Sequence, residues 1–254
     1  MSAHRESMVL VEGYDDRDFW KGLLTRKGCT EAMKEPPARH RGSPGFQYLA
    51  PSGTLIHVVP YKAPRPGFPK GVELSDVARL KLQERVDKPL RRLVLSPDAD
   101  THATLEDAHK SVGSIVTSAC PDAIETEEGD FLVDGGALIV STVFVHGLGA
   151  KDGEGRLPRG VPGQAALEQL VCAALCKAHP QRGQAVAEWL ASRPDVRGKD
   201  HKAHAWSFYA GWFTRHGTGD FYNSLWSDRE VADELERLLV SQGAGRVIDA
   251  LLQP

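Results

Sequence analysis

The chain has 254 residues, 41% of them hydrophobic and 26% charged, with a formal net charge of −3. That is the composition of an ordinary globular chain long enough to bury its own core, and it excludes global basicity as a means of holding nucleic acid: a polyanion has to be gripped by a local patch or through bound cations. Cys29, Cys120, Cys172 and Cys176 form no CxxC pair, no apolar run reaches the roughly 18 residues that span a bilayer, and the opening MSAHRESMVLVEG lacks the apolar core of a leader, so a cytoplasmic protein with reduced thiols is expected.

Ser7-Met-Val-Leu-Val-Glu12 reads as a short buried strand that ends in an acid. Asp15 or Asp16 then caps a helix with Phe19, Trp20, Leu23 and Leu24 on one stripe. Residues 31–53 have the Pro, Gly and basic composition of a loop. Thr54 to Pro60 is a second strand, and residues 61–71 form another basic loop. Ser75 to Val86 reads as a helix. Arg91 to Ser96 is a third strand that runs directly into Pro97-Asp98-Ala99-Asp100. Leu105, Ala108, Val112 and Ile115 have helical spacing, and Phe131 to Val133 and Ala137 to Val145 are strand-like. The order β-α-β-α-β-α-β-β argues for an α/β fold with a mainly parallel sheet. Gly147 to Gly163 holds six glycines and two prolines and reads as a linker. The remainder is helical, with stripes at Leu167, Leu170, Val171 and Leu175; at Trp206, Tyr209 and Phe213; at Val231, Leu235 and Leu238; and at Val247, Ile248 and Leu251. The expected organisation is an α/β domain over 1–148, a linker over 149–163 and a helical C-terminal part over 164–254.

Two apolar strands thus run into carboxylates. In an open parallel sheet, ligands bind at that edge. Clustered carboxylates repel one another unless a cation lies between them, and hard oxygen ligands suit Mg²⁺ or Mn²⁺. Such a site polarises a phosphoryl group and stabilises charge on the attacking and leaving oxygens. The alternative is structural: Glu12 and Asp16 open a helix, where acids favour the dipole, and Pro97 to Asp100 is a turn.

Val9-Leu-Val-Glu12-Gly13-Tyr-Asp-Asp16 resembles the first TOPRIM motif, an apolar strand followed by E-G-x-x-D. Leu93-Val-Leu-Ser-Pro-Asp98-Ala-Asp100 resembles the second, D-x-D. The likeness covers roughly residues 7–148 and implies a TOPRIM-like Rossmannoid fold. It departs from the family in the long spacing from Asp16 to Asp98 and in Pro97 before the first Asp. It implies that Glu12 is a metal ligand or general acid/base, that Asp98 and Asp100 are metal ligands, and that Asp16 supports the site or holds a second metal. The motif begins too early for a primase and the chain is too short for a topoisomerase, while the cysteine spacing is wrong for RecR-type proteins. The nuclease-like branch is left, including OLD-like, rRNA-maturase-like and stand-alone phage-defence proteins.

That resemblance implies a Mg²⁺- or Mn²⁺-dependent nuclease acting on DNA or RNA, as the effector of an anti-phage system. The alternative is an interaction subunit controlled by an ATPase partner and silent alone. By analogy with OLD-like nucleases, Glu168 is the candidate downstream acid, and Lys202, with Lys199 second, the candidate lysine that neutralises the transition state. Arg39, Arg41, Lys62, Arg65 and Lys70 lie in the basic loops and are candidate phosphate contacts; solvated loops are the plain reading. Cys172, Cys176 and His179 share a helical face and have the ligand types of a zinc site, but buried helical cysteine is common. His201 and His204, at i and i+3, are a weaker metal candidate than a polar helix start. Asp98-Ala-Asp100-Thr101 also matches the first four positions of the D-x-D-x-T phosphatase pattern of the HAD family, where Asp98 is the nucleophile, but His102 stands in the fifth. No membrane is expected as a partner, and the aromatic C-terminal helices offer a surface for a homo-oligomer.

Overall fold

The computed structural model describes residues 6–33, 46–62, 72–83, 90–99, 102–192, 221–222 and 225–253. The chain divides into two units: residues 1–97, 102–143 and 246–254 form one, and residues 98–101 and 144–245 the other. The first unit therefore closes at Val143, a few residues before the expected boundary, and it takes back the end of the chain.

The first unit is built on an eight-stranded sheet: β1 (Glu6–Val11), β2 (Thr30–Met33), β3 (Phe46–Leu49), β4 (Leu55–Pro60), β5 (Leu90–Ser96), β6 (Ile124–Glu125), β7 (Phe131–Val133) and β8 (Leu138–Thr142). The order is β2-β3-β4-β1-β5-β8-β7-β6. β4, β1, β5 and β8 run parallel. β2 and β3 add to one side, and β7 and β6 to the other, in antiparallel pairings. The sheet is thus mixed, with a parallel centre and antiparallel flanks. Two of the added strands, β2 and β3, lie in the stretch whose composition reads as loop.

Register fixes which side chains share a face. Phe46, Val58, Val9, Val94 and Ser141 form one row across five strands. Gln47, His57, Met8, Leu93, Val140 and Phe131 form the adjacent row, which points the other way. Val9, Leu10 and Val11 are fully buried, as a central parallel strand covered on both faces requires.

α1 (Tyr14–Arg26) lies on the first face, packed on β3 and β4 with Arg17 and Lys21 over the Phe46 ring. It buries Phe19, Trp20, Leu23 and Leu24 almost completely, each contributing about 1.5–3 kcal/mol. Gly28, at φ +82°, ends it in a conformation that favours glycine. α2 (Leu74–Gln83) and α3 (Leu105–Ala119) pack on each other on the opposite face. There α3 approaches so closely that a Cβ on Gly113 would stand 3.2 Å from Phe131. The Thr104 hydroxyl caps α3 by accepting from Asp107 N at 3.0 Å.

The last helix, α7 (Ala244–Leu252), returns to the first face. Arg246 donates to both oxygens of Asp130, at 2.6 and 3.2 Å, and to Glu128 O. Arg92 of β5 donates to Ser141 Oγ at 2.8 Å, and Ser141 bonds Asp130 in turn. Thr54 Oγ1 donates to Gln253 O. Burial pushes Asp130 upward, but Arg246, Ser141 and Arg92 outweigh it and hold the carboxyl below the ordinary range.

The second unit is centred on α4 (Leu167–Ala178), which packs against α5 (Pro180–Ala191) and α6 (Arg229–Ser241). From Leu167 to Cys176 every residue is buried. Gln169, with no exposure, clasps the loop of residues 147–163: its Oε1 accepts from Gly147 N at 3.0 Å, and its Nε2 donates to Pro162 O and Gly163 O at 3.0 and 3.2 Å. Gly147 is required there, because a Cβ would meet Gln169 O at 2.5 Å. His179, the C-cap of α4, bonds Asp228, the N-cap of α6, at 3.0 Å. Asp228 also accepts from Val231 N.

Three outcomes follow from these contacts. Arg246→Ala lowers stability by about 1–2 kcal/mol, a modest figure for a charged hydrogen bond because the arginine is half exposed. Asp130 titrates below its unfolded value, so its contribution is present above about pH 4 and is lost as pH falls through the lower folded value. The Tm gap between wild type and Asp130→Asn is therefore full at pH 7 and shrinks below about pH 4; a gap independent of pH contradicts the assignment. Gln169→Leu strands buried backbone groups at both ends of the loop and costs about 2–5 kcal/mol in chemical denaturation. A cost under about 0.5 kcal/mol, the scale of a surface change, rules out the clasp.

Candidate acidic site at the carboxyl edge of the sheet

The parallel centre places the ends of β1, β4 and β5 at one edge. Val11 lies beside Pro60 on one side and Ser96 on the other. The ladder between β1 and β4 continues beyond the strands, with Tyr61 N donating to Val11 O at 2.9 Å and Lys62 N to Glu12 O at 3.0 Å. After β1 the chain turns into α1 on the first face; after β5 it leads to α3 on the second. The carboxyl ends of β1 and β5 therefore flank a topological switch point, where open α/β sheets bind ligands.

Glu12 is the first residue past β1. Its Oε1 accepts from Lys62 Nζ at 2.8 Å. The Lys62 side chain is 41% exposed and that of Glu12 23%, so the pair is largely solvated and worth about 0.2–1 kcal/mol. Lys62, a candidate phosphate contact in sequence, is paired with Glu12. Its partnership is the feature missed in sequence. The only local signal is that Glu12 and Lys62 stand one and two residues past the ends of apolar strands.

Asp16 sits at the third position of α1, where its Oδ2 accepts from Gly13 N at 2.9 Å. It anchors the first turn, with Gly13 rather than Asp15 or Asp16 as the N-cap. Asp98, two residues beyond Ser96, is half-buried, and the next residue, Ala99, donates its N–H to Ala165 O at 3.1 Å. Glu168 lies in the first turn of α4 and is 4% exposed. The helix has no exposed polar side at that point, contrary to its amphipathic reading. Asp100, Arg39, Arg41, Arg65, Lys70, Lys199 and Lys202 lie outside the described residues, as do His201, His204 and the stripe of Trp206, Tyr209 and Phe213.

All four cysteines are buried thiols. Burial pushes Cys29 and Cys176 up to about 11, so both are neutral thiols at neutral pH. His179 is turned to Asp228 instead. Among the described residues, no group of three or more His, Cys, Asp or Glu side chains is arranged to hold a metal. Glu12 and Asp98 each carry a carboxylate, a hard-oxygen donor of the kind that suits Mg²⁺ or Mn²⁺. The third member of the expected set, Asp100, is outside the described residues. No helix among those residues is long and apolar enough to cross a membrane.

No protein-family model and no curated protein matches the chain. Its fold is similar to the crystal structure of a hypothetical protein from Pyrococcus horikoshii OT3: the match covers 98% of this chain and 99% of that one, with a TM-score of 0.59 and 16% identity. At that identity the likeness establishes a shared α/β fold.

Replacing Asp16 by Ala removes the acceptor for Gly13 N and an acid from the first turn of α1. The expected loss is about 0.5–1 kcal/mol of stability, measured by urea denaturation. A loss near zero shows that the carboxylate does not anchor the helix.

Proposed function

We propose that the chain is a TOPRIM-type phosphodiesterase that cleaves DNA or RNA with Mg²⁺ or Mn²⁺ held by Glu12, Asp98 and Asp100. One observation carries this reading. β1 and β5 are parallel neighbours with Val11 beside Ser96, and each runs within two residues into an acid at the switch point of the sheet. This supports reading the two motifs, far apart in sequence, as parts of one site.

A bound cation supplies charge neutralisation at the phosphoryl group. The protein's part is to orient carboxylates on rigid strand ends and to position a water. Glu12, the first residue past β1, would either join Asp98 and Asp100 in holding the cation or accept the proton of that water. Asp98 and Asp100 hold the cation. A role as effector of a phage-defence system belongs to this reading through the TOPRIM likeness.

A second reading, a subunit that stays silent until an ATPase partner engages it, is favoured by the engagement of Glu12 by Lys62.

Plasmid, single-stranded DNA and tRNA incubated with Mg²⁺ or Mn²⁺ test both readings. The first predicts metal-dependent cleavage that falls by about 10²–10⁴-fold in Glu12→Ala and in Asp98→Ala. Cleavage that survives both substitutions sinks the site assignment. Cleavage only with an ATPase added supports the second reading.

A further inference from the structure

We propose that Asp130 clasps the neck of the first unit. It binds both the place where the chain leaves that unit and the place where it returns, so that α7 stays docked on the sheet when the second unit opens.

The chain leaves the first unit after Val143 and returns at Arg246; residues 144–245, with 98–101, make up the second unit. Ser141, just before the exit, and Arg246, at the return, both bond the Asp130 carboxylate. Arg92 of β5 backs the pair, donating to Ser141 Oγ at 2.8 Å and lying 3.9 Å from Asp130. The carboxylate stands on a fixed base. Asp130 N donates to Thr126 Oγ1, and Asp130 O accepts from Thr126 N, which closes the turn between β6 and β7. Three strands and the last helix therefore meet at one group that is largely shielded from water.

Loop closure gives the clasp its use. Within the folded second unit the two ends already lie together, because His146 N donates to Gln242 Oε1 at 3.2 Å. The chain then returns to the first unit at little entropic cost. Once the second unit opens, roughly a hundred residues of slack separate Val143 from Arg246, and the entropy of closing that loop opposes the docking of α7. The cost grows slowly with loop length, so charged hydrogen bonds made away from water are of the size to offset it. Val247, Ile248 and Leu251 hold α7 to the sheet by burial, and Thr54 holds its far end through Gln253 O. Asp130 holds the exit and the return to each other.

Hydrogen exchange of the full chain, read by mass spectrometry, tests this, with Gln169→Leu used to loosen the second unit. In Gln169→Leu the peptides of α4 are expected to exchange about ten-fold faster or more, while those of β8 and α7 keep their wild-type protection. Adding Asp130→Asn is expected to raise exchange in α7 by about ten-fold, with β1 unchanged. Arg246→Gln, which spares the Asp130 carboxylate, is expected to give the same rise. If Gln169→Leu leaves α4 unchanged, low urea takes its place and the same comparison decides. Loss of α7 protection while Asp130 is intact overturns the proposal, as does an α7 that stays protected in the double variant. Loss of protection in β1 together with α7 also overturns it, because Asp130 is then a general support of the sheet.

Discussion

β1 is hydrogen-bonded on both sides to parallel neighbours and buried on both faces. Its residues Val9, Leu10 and Val11 have no exposure, so a one-residue slip would exchange every inward and outward side chain of the row from Phe46 to Ser141. The register is therefore tightly held, and the residues that follow the strands inherit their positions from it. Glu12 begins where the burial of β1 ends. Lys62 is brought to it because β4 pairs with β1 in register, fifty residues away in sequence. A loop held only by its own turns would not position a carboxylate so firmly.

The two polar assemblies of the first unit show opposite uses of charge. Around Asp130, two arginines and a serine converge on one carboxylate that is shielded from water. Ser141 is buried, Arg92 is largely shielded and Arg246 is half exposed, and the result ties α7 to the sheet. Around Glu12, Lys62 meets a carboxylate in partial contact with solvent. Breaking the first arrangement costs about 1–2 kcal/mol, because one arginine is half exposed. The second is a largely solvated and weaker pair.

Much of this was legible in sequence where local patterning and burial agree. The apolar runs of β1 and β5 and the stripes of α1, α3 and α6 come through because each is long, periodic and backed by packing. β2 and β3 were hidden: each is four residues long, and they sit among Pro, Gly and basic residues that read as loop. The mixed character of the sheet followed from missing those strands. Glu168 illustrates a different failure. The apolar stripe of α4 suggested a polar outer side, but tertiary packing buries the helix on every side from Leu167 to Cys176, and Gln169 is buried because it clasps a loop rather than because it is apolar. The motif residues Glu12 and Asp98 were visible from their strands alone. The partner of Glu12 was not, because strand order is a non-local property that no window of residues contains.

The central claim is that the acids following β1 and β5 form one metal site. The most direct measurement is an anomalous difference map from a crystal soaked in Mn²⁺. The account predicts a single strong peak within about 2.0–2.6 Å of a Glu12 carboxylate oxygen and of an acid from the segment after β5, the range of oxygen ligands to hard cations. A map with Mn²⁺ bound elsewhere, and with Glu12 still paired to Lys62, would contradict it.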